Sequence, residues 1–246
     1  MKVCWQRWKH LHWLLFLSPR EAELDSPAWY RSMADQYLRR TAWTRLRLAQ
    51  VQRLVRPAAG DRVLDLGCAS GAISHFCASC GARVTGVDLS AVALDFARQM
   101  CRGLDCRFVQ SDVARMPDLA SGSFDKAVAA DLVEHLPDRI LEPMLREVHR
   151  LLETGGSLSV YTPNRGHWIE RLKARGILVQ NISHVAVRRR DELEARLRAA
   201  GFQIELSDCV PSHLPAIGQL ERLLLPLPLA GELFGYRICV RGRKAA

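Results

Sequence analysis

Val63-Leu-Asp-Leu-Gly-Cys-Ala-Ser-Gly71 is the stretch of sequence that decides the fold. Its apolar start, Val63 to Leu66, is typical of a short buried strand in a parallel sheet. The strand stops at Gly67, and Gly71 opens a segment with the apolar spacing of a helix. A strand that turns on glycines into a helix brings unpaired backbone N–H groups close to a ligand. The stretch therefore predicts a ligand-binding turn.

A second apolar strand, Arg83 to Val87, follows and is ended by Asp88. An acid at this tip can accept hydrogen bonds from both hydroxyls of a ribose. The spacing Gly67-x-x-x-Gly71 differs from the G-x-G-x-x-G turn that binds the pyrophosphate of dinucleotides. Asp65 also stands at the strand end, where its carboxylate would repel a pyrophosphate but could hold a cationic amino group. Together these residues predict an adenosine-binding half-site.

The same residues resemble the first motif of the class I S-adenosylmethionine-dependent methyltransferases, an acid followed by G-x-G-x-G. This chain reads Asp65-Leu-Gly67-Cys68-Ala69-Ser70-Gly71, with alanine at the middle glycine. The resemblance covers Trp29 to Val240. It implies an α/β fold: a Rossmann-like, doubly wound, seven-stranded sheet with a C-terminal antiparallel hairpin and an N-terminal helical lid. It also implies S-adenosyl-L-methionine as the cofactor and S-adenosyl-L-homocysteine as the product.

The resemblance places the cofactor across the tips of the first four strands. In similar enzymes an acid after the third strand hydrogen-bonds the adenine amino group, and the next residue donates its backbone N–H to the ring. Asp112 and Val113 match these two positions. The complete set of expected cofactor-binding residues is Asp65, Gly67, Cys68, Ala69, Gly71, Asp88, Leu89, Asp112, Val113, Ala130 and Asp131.

The fourth strand, Ser123 to Ala130, leads into Asp131-Leu-Val-Glu134-His135. Histidine is the natural proton acceptor near neutral pH, so His135 is the expected catalytic base. The segment resembles the ubiquinone-biosynthesis-type methyltransferases, whose O-methylating branch can hold a divalent cation with an acid-x-x-Glu-His arrangement. Asp131, Glu134 and His135 match that arrangement. We favour the alternative in which Glu134 and His135 shape the pocket and bind no metal.

The chain after the fourth strand predicts a helix ended by Gly155-Gly156, a fifth strand over Ser157 to Thr162 and a connection of almost forty residues. In similar enzymes this connection carries substrate-recognising elements, so the resemblance implies them here. Its His184 and the run Arg188-Arg-Arg190 could bind an acidic group of the substrate or form a solvated basic face. A final strand, Tyr236 to Val240, is expected to complete the antiparallel hairpin.

Two further segments have an unusual composition. Residues 1–28 are basic and aromatic and precede the catalytic domain, 29–246; residues 1–20 could form an interfacial amphipathic helix, a docked helix or a frayed terminus. The connection 209–235 could wall a pocket for a hydrophobic substrate, contact lipid or form a homodimer contact. The spacing between Trp29 and Val55 predicts helices, which the resemblance implies form a lid over the cofactor. Tyr30 and Tyr37 either pack this lid or contact S-adenosylmethionine or the substrate.

The motifs, the resemblance and the composition together leave three hypotheses about function. We favour methyl transfer to an oxygen, nitrogen or carbon of a small, hydrophobic metabolite, such as a quinone, lipid or natural-product intermediate. A net charge of +9 would suit nucleic-acid methylation, but an Asn-Pro-Pro-aromatic motif is missing after the fourth strand, so no nucleic-acid partner is expected. A non-catalytic cofactor-binding scaffold is the third reading. Eight cysteines in so apolar a chain favour reduced thiols and a cytoplasmic location, with Cys77 and Cys80 in the core rather than on a metal.

Overall fold

A computed structural model describes residues 25–214, 216–227 and 231–245. Its seven strands form one sheet in the order β3-β2-β1-β4-β5-β7-β6. The strands are β1 Arg62–Leu66, β2 Arg83–Asp88, β3 Cys106–Gln110, β4 Phe124–Ala130, β5 Leu152–Pro163, β6 Phe202–Val210 and β7 Arg237–Lys244. The predictions for residues 1–20 lie outside the described residues.

Helices cover both faces of this sheet, and two of them precede its first strand in the chain. They are α1 Pro27–Leu38, α2 Ala42–Val55, α3 Ala72–Ser79, α4 Ala91–Met100, α5 Asp138–Leu151, α6 Trp168–Ala174, α7 Arg190–Ala199, α8 Ile217–Leu224 and α9 Gly231–Phe234. Ser90 is the N-cap of α4, a position at which serine is strongly preferred: its hydroxyl accepts the N–H of Ala93. No helix in the described ranges is long and apolar enough to cross a bilayer.

The sheet is parallel from β3 to β5 and antiparallel at its other end. β1 pairs in parallel with β2 and β4, and β4 with β5. β7, the last strand in the chain, lies between β5 and β6 and is antiparallel to both. This topology confirms the predicted doubly wound sheet with its C-terminal antiparallel hairpin.

Alternating side chains of the strands feed two hydrophobic cores. Leu64 and Leu66 of β1 pack in the core that α5 and α7 cover, whereas Val63 packs in the core that α2 and α3 cover. This alternation follows from the two-residue period of a strand. Cys77 belongs to the second core and is fully buried, which confirms its packing role, while Cys80 is half-buried.

The predicted end of α5 at Gly155-Gly156 is wrong. The helix ends at Leu151, and β5 begins at Leu152 without a loop. Gly155 has a φ of +83°, and a Cβ on Gly156 would lie 3.0 Å from the Asp125 carbonyl oxygen. The pairing of β4 with β5 also shifts its register here. The two glycines therefore form a bulge inside the strand.

The lid consists of α1 and α2. The Tyr30 ring lies 6.3 Å from that of Phe96 on α4, and its hydroxyl donates to Asp25 at 2.8 Å. The Tyr37 hydroxyl lies 2.8 Å from Nδ1 of His75 on α3. Both hydroxyls thus have partners within the protein, which favours the packing role over ligand contact.

Candidate active site

Three parallel strands bring the expected cofactor residues to one edge of the sheet. Asp65 lies near the end of β1, Asp88 ends β2 and Asp131 follows β4. Because β1 pairs in parallel with both neighbours, these three carboxyl ends lie side by side. Doubly wound sheets bind their ligands outside this edge.

The turn between β1 and α3 contains three residues in the left-handed backbone region. The φ angles are +61° at Gly67, +47° at Ala69 and +81° at Gly71. A Cβ at Gly71 would lie only 2.9 Å from the Cα atom of Ala97 on α4. Gly71 is therefore required by helix packing as well as by backbone conformation.

Asp88 holds this turn through its carboxylate. Oδ2 accepts the backbone N–H of Ala69 at 2.9 Å, and Oδ1 accepts that of Ser90 at 3.0 Å. The N–H of Cys68 donates to the Val87 carbonyl at 3.0 Å. These bonds oppose the cost of about 1–2 kcal/mol of a left-handed conformation at an L-residue such as Ala69. They explain how alanine replaces the middle glycine of the motif.

Asp65 lies buried behind the turn. Its Oδ2 accepts the Ser74 hydroxyl of α3 at 2.6 Å. Burial raises the pKa of Asp65 to about 6, against the opposing effect of the Ser74 hydrogen bond. A carboxyl group with this pKa is ionised at neutral pH and would gain from a cationic partner.

The tips of β2 and β3 carry the residues expected on the adenine side. Oδ1 of Asp112 accepts the N–H of Ala114 at 2.8 Å, and Val113 is buried. Leu89 is 67% exposed, and its carbonyl accepts the Gln110 side-chain amide at 2.9 Å. The two tips are thus joined, while contact of these residues with a purine stays a prediction.

Two arginines clamp the carboxylate of Asp131. Arg47 of α2 donates from Nε to Oδ2 at 2.6 Å and from Nη2 to the Ala130 carbonyl at 3.1 Å, and Arg237 of β7 donates to Oδ1. Burial alone would raise the pKa of Asp131, but the guanidinium groups of Arg237 and Arg47 outweigh it and lower the pKa below its ordinary value. The Asp131 carboxylate is therefore held as an anion within the protein.

Glu134 is a buried acid next to this clamp. Its Oε2 accepts the Thr162 hydroxyl at 3.0 Å, and its Oε1 lies 3.7 Å from Nη1 of Arg237. Burial and then the Asp131 charge raise the pKa of Glu134. The Glu134 carboxylate has fewer cationic contacts than that of Asp131, so it is the more available of the two.

His135 contacts the long connection after β5. Nδ1 of His135 lies 2.8 Å from the Ser183 carbonyl, which can only accept, so Nδ1 carries the proton and Nε2 has a lone pair. The His184 ring stacks edge-on at 5.1 Å from that of His135. Burial, followed by the His135 charge, lowers the pKa of His184 to about 3. His184 is therefore a neutral imidazole at neutral pH.

Arg188 fits neither predicted role for the arginines of this connection, an acidic-substrate contact or a solvated face. It is buried and donates to the carbonyls of Val133 at 2.8 Å and Leu136 at 2.6 Å. It also pairs with Asp138 at 2.7 Å. Arg188 thus fastens the connection to the segment that carries Glu134.

Sequence reasoning missed Arg47 and Arg237. Arg47 stands 84 residues before Asp131, and Arg237 stands 106 residues after it. An arginine on a helix and another at a strand start carry no local signal of a shared carboxylate. Only the packing of α2 and β7 against the tip of β4 brings them together.

The apolar connection 209–235 lines a cavity of about 740 Å³ away from the turn at residues 67–71. Its lining combines Leu225, Pro226 and Leu227 with the charged residues Arg189, Arg190, Asp208 and Glu232. The connection therefore borders a pocket whose lining is partly charged. A hydrophobic substrate in this pocket stays a prediction.

Comparisons with known proteins agree on the type of domain. The family described as a methyltransferase domain matches residues 63–156. The ubiquinone biosynthesis O-methyltransferase of Pseudomonas aeruginosa is 36% identical over 109 residues, which cover 44% of this chain and 46% of that protein. The match thus spans about half the length of that relative.

Two further matches extend over more of the chain. The ubiquinone biosynthesis O-methyltransferase of Xanthomonas axonopodis pv. citri is 32% identical over 173 residues, 65% of this chain and 70% of that protein. A chain from the complex between the Haloferax volcanii Trm112 methyltransferase activator and a methyltransferase shares the fold, with a TM-score of 0.65 and 19% identity over 89% of this chain and 97% of that chain. With its glycine turn and strand-end acids, this chain belongs to the class I S-adenosylmethionine-dependent methyltransferases.

Proposed function

We propose that this chain transfers the methyl group of S-adenosyl-L-methionine to an oxygen atom of a small, lipophilic acceptor. The observation that carries the proposal is the side-by-side arrangement of Asp65 and Asp88 at one sheet edge, with His135 following the next strand. An adenosine half-site and a residue with a lone pair thereby share the edge where such sheets bind ligands. The curated relatives are named O-methyltransferases, which favours oxygen as the acceptor atom.

Each strand tip has a distinct role toward the cofactor in this proposal. The Asp65 carboxylate faces the cationic amino group, and Asp88 accepts the ribose hydroxyls. Asp112 and Val113 bind the adenine, with Leu89 against its face. Gly67, Cys68, Ala69 and Gly71 shape the turn, and the backbone at Ala130 and Asp131 borders the methionine part.

The reaction is an in-line displacement. An oxygen lone pair of the acceptor attacks the methyl carbon, the carbon–sulfur bond breaks and the sulfur keeps that electron pair. The product S-adenosyl-L-homocysteine is then a neutral thioether. Holding the two reactants in line supplies most of the rate enhancement, since alignment alone can contribute about 7–11 kcal/mol.

The acceptor hydroxyl must lose its proton during the transfer. In the metal-free chain, Nε2 of His135 takes up this proton, because its Nδ1–H is already bound to the Ser183 carbonyl. General-base catalysis of this kind contributes about 10²–10⁴-fold to the rate. His135 thus has a catalytic role that depends on the docking of the long connection.

Apolar side chains on the connection 209–235 support a lipophilic acceptor and a peripheral membrane contact. Leu220 is 56% exposed and Leu223 is 75% exposed, and both lie on α8. We expect the chain to sediment with anionic vesicles, and Leu223→Glu to weaken this sedimentation. Val185→Glu, a change at an equally apolar exposed residue outside 209–235, is the matched control. Equal sedimentation of Leu223→Glu and the unmodified chain would contradict this contact.

A turnover assay tests the proposed reaction. The chain is incubated with methyl-deuterated cofactor and lipophilic phenols or catechols, and S-adenosyl-L-homocysteine and labelled product are measured by mass spectrometry. Asp88→Ala is expected to lower turnover strongly at subsaturating cofactor, and His135→Ala to lower it by about 10²–10⁴-fold. Asp95→Asn, an exposed change on α4, serves as the control. Cofactor binding without any turnover would instead favour the hypothesis of a non-catalytic, cofactor-binding scaffold.

A further inference from the structure

The connection after β5 is docked on the segment 133–136. Nδ1 of His135 donates to the Ser183 carbonyl at 2.8 Å, and the Ala186 N–H donates to the Glu134 carbonyl at 2.9 Å. Arg188 adds its bonds to the carbonyls of Val133 and Leu136. These contacts are made by residues just before and just after His184 in the sequence, so they hold its ring beside that of His135.

Three potential metal ligands meet at this junction. Glu134, His135 and His184 each offer a ligand atom, and these atoms lie within 4.8 Å of one another. Nε2 of His135 has a free lone pair, since Nδ1 is the donor to Ser183. Among the described residues, Nδ1 of His184 is buried without a hydrogen-bond partner. A buried polar atom of this kind calls for a ligand.

We propose that Glu134, His135 and His184 bind a transition-metal dication, with Zn²⁺ as the reference ion. The inference rests on the proposed function, and it gives the Nε2 lone pair of His135 to the cation instead of to the acceptor proton. When bound, such an ion would act as a Lewis acid toward the acceptor oxygen. The Ser183 carbonyl would orient His135, as backbone carbonyls orient many metal-binding histidines.

This ligand set differs from the one that the family resemblance implies. There the first acid of acid-x-x-Glu-His is a ligand, but here the Asp131 carboxylate is bound by Arg47 and Arg237. His184, from the long connection, replaces it. Two imidazoles and one carboxylate favour Zn²⁺ or a similar ion, whereas Mg²⁺ prefers oxygen ligands only.

Metal binding is measured directly on the full chain. The purified protein is stripped with a chelator and titrated with Zn²⁺, with Co²⁺ and with Mg²⁺, with stoichiometry from elemental analysis and ligation from the visible spectrum of Co²⁺. We expect one Zn²⁺ per chain and no displacement by millimolar Mg²⁺. His184→Ala is expected to weaken Zn²⁺ binding by at least about 100-fold, because even partners outside the ligand set contribute about 10–100-fold.

Two variants separate this site from its alternatives. His149→Ala, at a half-buried histidine of α5 away from the junction, is the matched control and should bind Zn²⁺ as the unmodified chain does. Asp131→Asn should also retain the Co²⁺ spectrum, provided that circular dichroism shows it folded; Glu134→Gln, which should lose that spectrum, gives a second test. No Zn²⁺ in the unmodified chain, or unchanged Zn²⁺ affinity in His184→Ala, would overturn the inference. Cofactor affinity and methyl transfer, measured on the same metal-free protein, report separately on the proposed function.

Discussion

The carboxylate of Asp88 accepts the backbone N–H of Ala69 at 2.9 Å, across the space between the end of β2 and the glycine turn. The same residue is the one expected to bind the ribose. The carboxylate that holds the turn in its left-handed conformation is therefore also the one that we propose to bind the sugar. The proposal therefore predicts that the shape of the turn and the affinity for the cofactor are coupled through Asp88.

Replacement of Asp88 by alanine should weaken cofactor binding more than replacement by asparagine. Alanine removes the acceptors of the turn and of the ribose, whereas asparagine keeps one oxygen acceptor. Hydrogen bonds to a charged group contribute about 1.5–3 kcal/mol each, so Asp88→Ala should raise the Kd for S-adenosyl-L-methionine by about 10- to 100-fold or more. Isothermal titration calorimetry measures this. Equal affinities in Asp88→Ala and the unmodified chain would contradict the assignment.

The pKa of Asp65 predicts a pH dependence of cofactor affinity. Because this pKa lies at about 6, affinity should fall as the pH is lowered from 8 through 6 and the carboxylate becomes neutral. Asp65→Asn should bind weakly at every pH and give a flat profile. Calorimetry between pH 5 and pH 8 provides the comparison, and a parallel decline in the variant would rule out Asp65 as the titrating group.

The buried carboxylate of Asp65 should also lower the free energy of unfolding of the cofactor-free chain. A carboxyl group with a raised folded-state pKa binds its proton more tightly when folded, so stability is lost as the pH rises from about 4, its unfolded value, to about 6. Two pKa units correspond to about 3 kcal/mol, which is the upper limit of the stability that Asp65→Asn gains at pH 8. Urea unfolding measures it. A destabilised Asp65→Asn would show that the charge is better compensated than its burial indicates.

The clamp on Asp131 should contribute strongly to stability. Asp131→Asn leaves the guanidinium groups of Arg47 and Arg237 buried beside a neutral side chain, which should cost about 3–5 kcal/mol. The matched control is Asp208→Asn, which breaks the half-exposed pair with Arg53 and should cost less than about 1 kcal/mol. Free energies of unfolding in urea test both values. Equal costs for the two variants would show that burial does not strengthen the clamp.

Glu221 fastens α8 to α6 from within the protein. Its Oε1 accepts His167 Nε2 and Trp168 Nε1, both at 2.9 Å, and its Oε2 accepts the Ser212 N–H at 2.6 Å. Burial opposes ionisation, but these donors lower the pKa of Glu221 to about 2. A carboxyl group whose pKa is lowered in the folded state stabilises the fold at pH values above its unfolded-state pKa of about 4.3. This stabilisation is lost as the pH falls toward 2.

Glu221→Gln should therefore lower the free energy of unfolding at pH 7 by roughly 3 kcal/mol, the equivalent of the difference between the two pKa values. The loss should shrink as the pH is lowered from 4 toward 2. Glu142→Gln, at an exposed position of α5, should change little. A pH-independent difference between Glu221→Gln and the unmodified chain would refute the role of the charge.

The succession of strands and helices along the chain could be predicted because each element from β1 to β4 has its own local signal. The run before Gly67, the acid at Asp88 and the cap at Ser90 each follow from residues that are neighbours in the chain. The glycine pair at Gly155 misled the prediction, because glycine marks a bulge as readily as a helix end. Only the pairing of β4 with β5 distinguishes the two.

The candidate site was less predictable than the fold. Asp131 was expected at the cofactor, but its carboxylate is bound by arginines from α2 and β7, which are distant in sequence. His184 carried no signal of its position beside His135, because the connection docks through backbone carbonyls, which every residue has. Long-range hydrogen bonds of this kind leave no periodic pattern in a sequence.

A crystal structure of the chain with S-adenosyl-L-homocysteine tests the central claim most directly. We predict density for the nucleoside across the tips of β1 to β4, with both ribose hydroxyls within hydrogen-bond distance of Asp88 and the amino group facing Asp65. Density elsewhere, or an empty edge at saturating ligand with side chains filling the space above residues 67–71, would contradict the account.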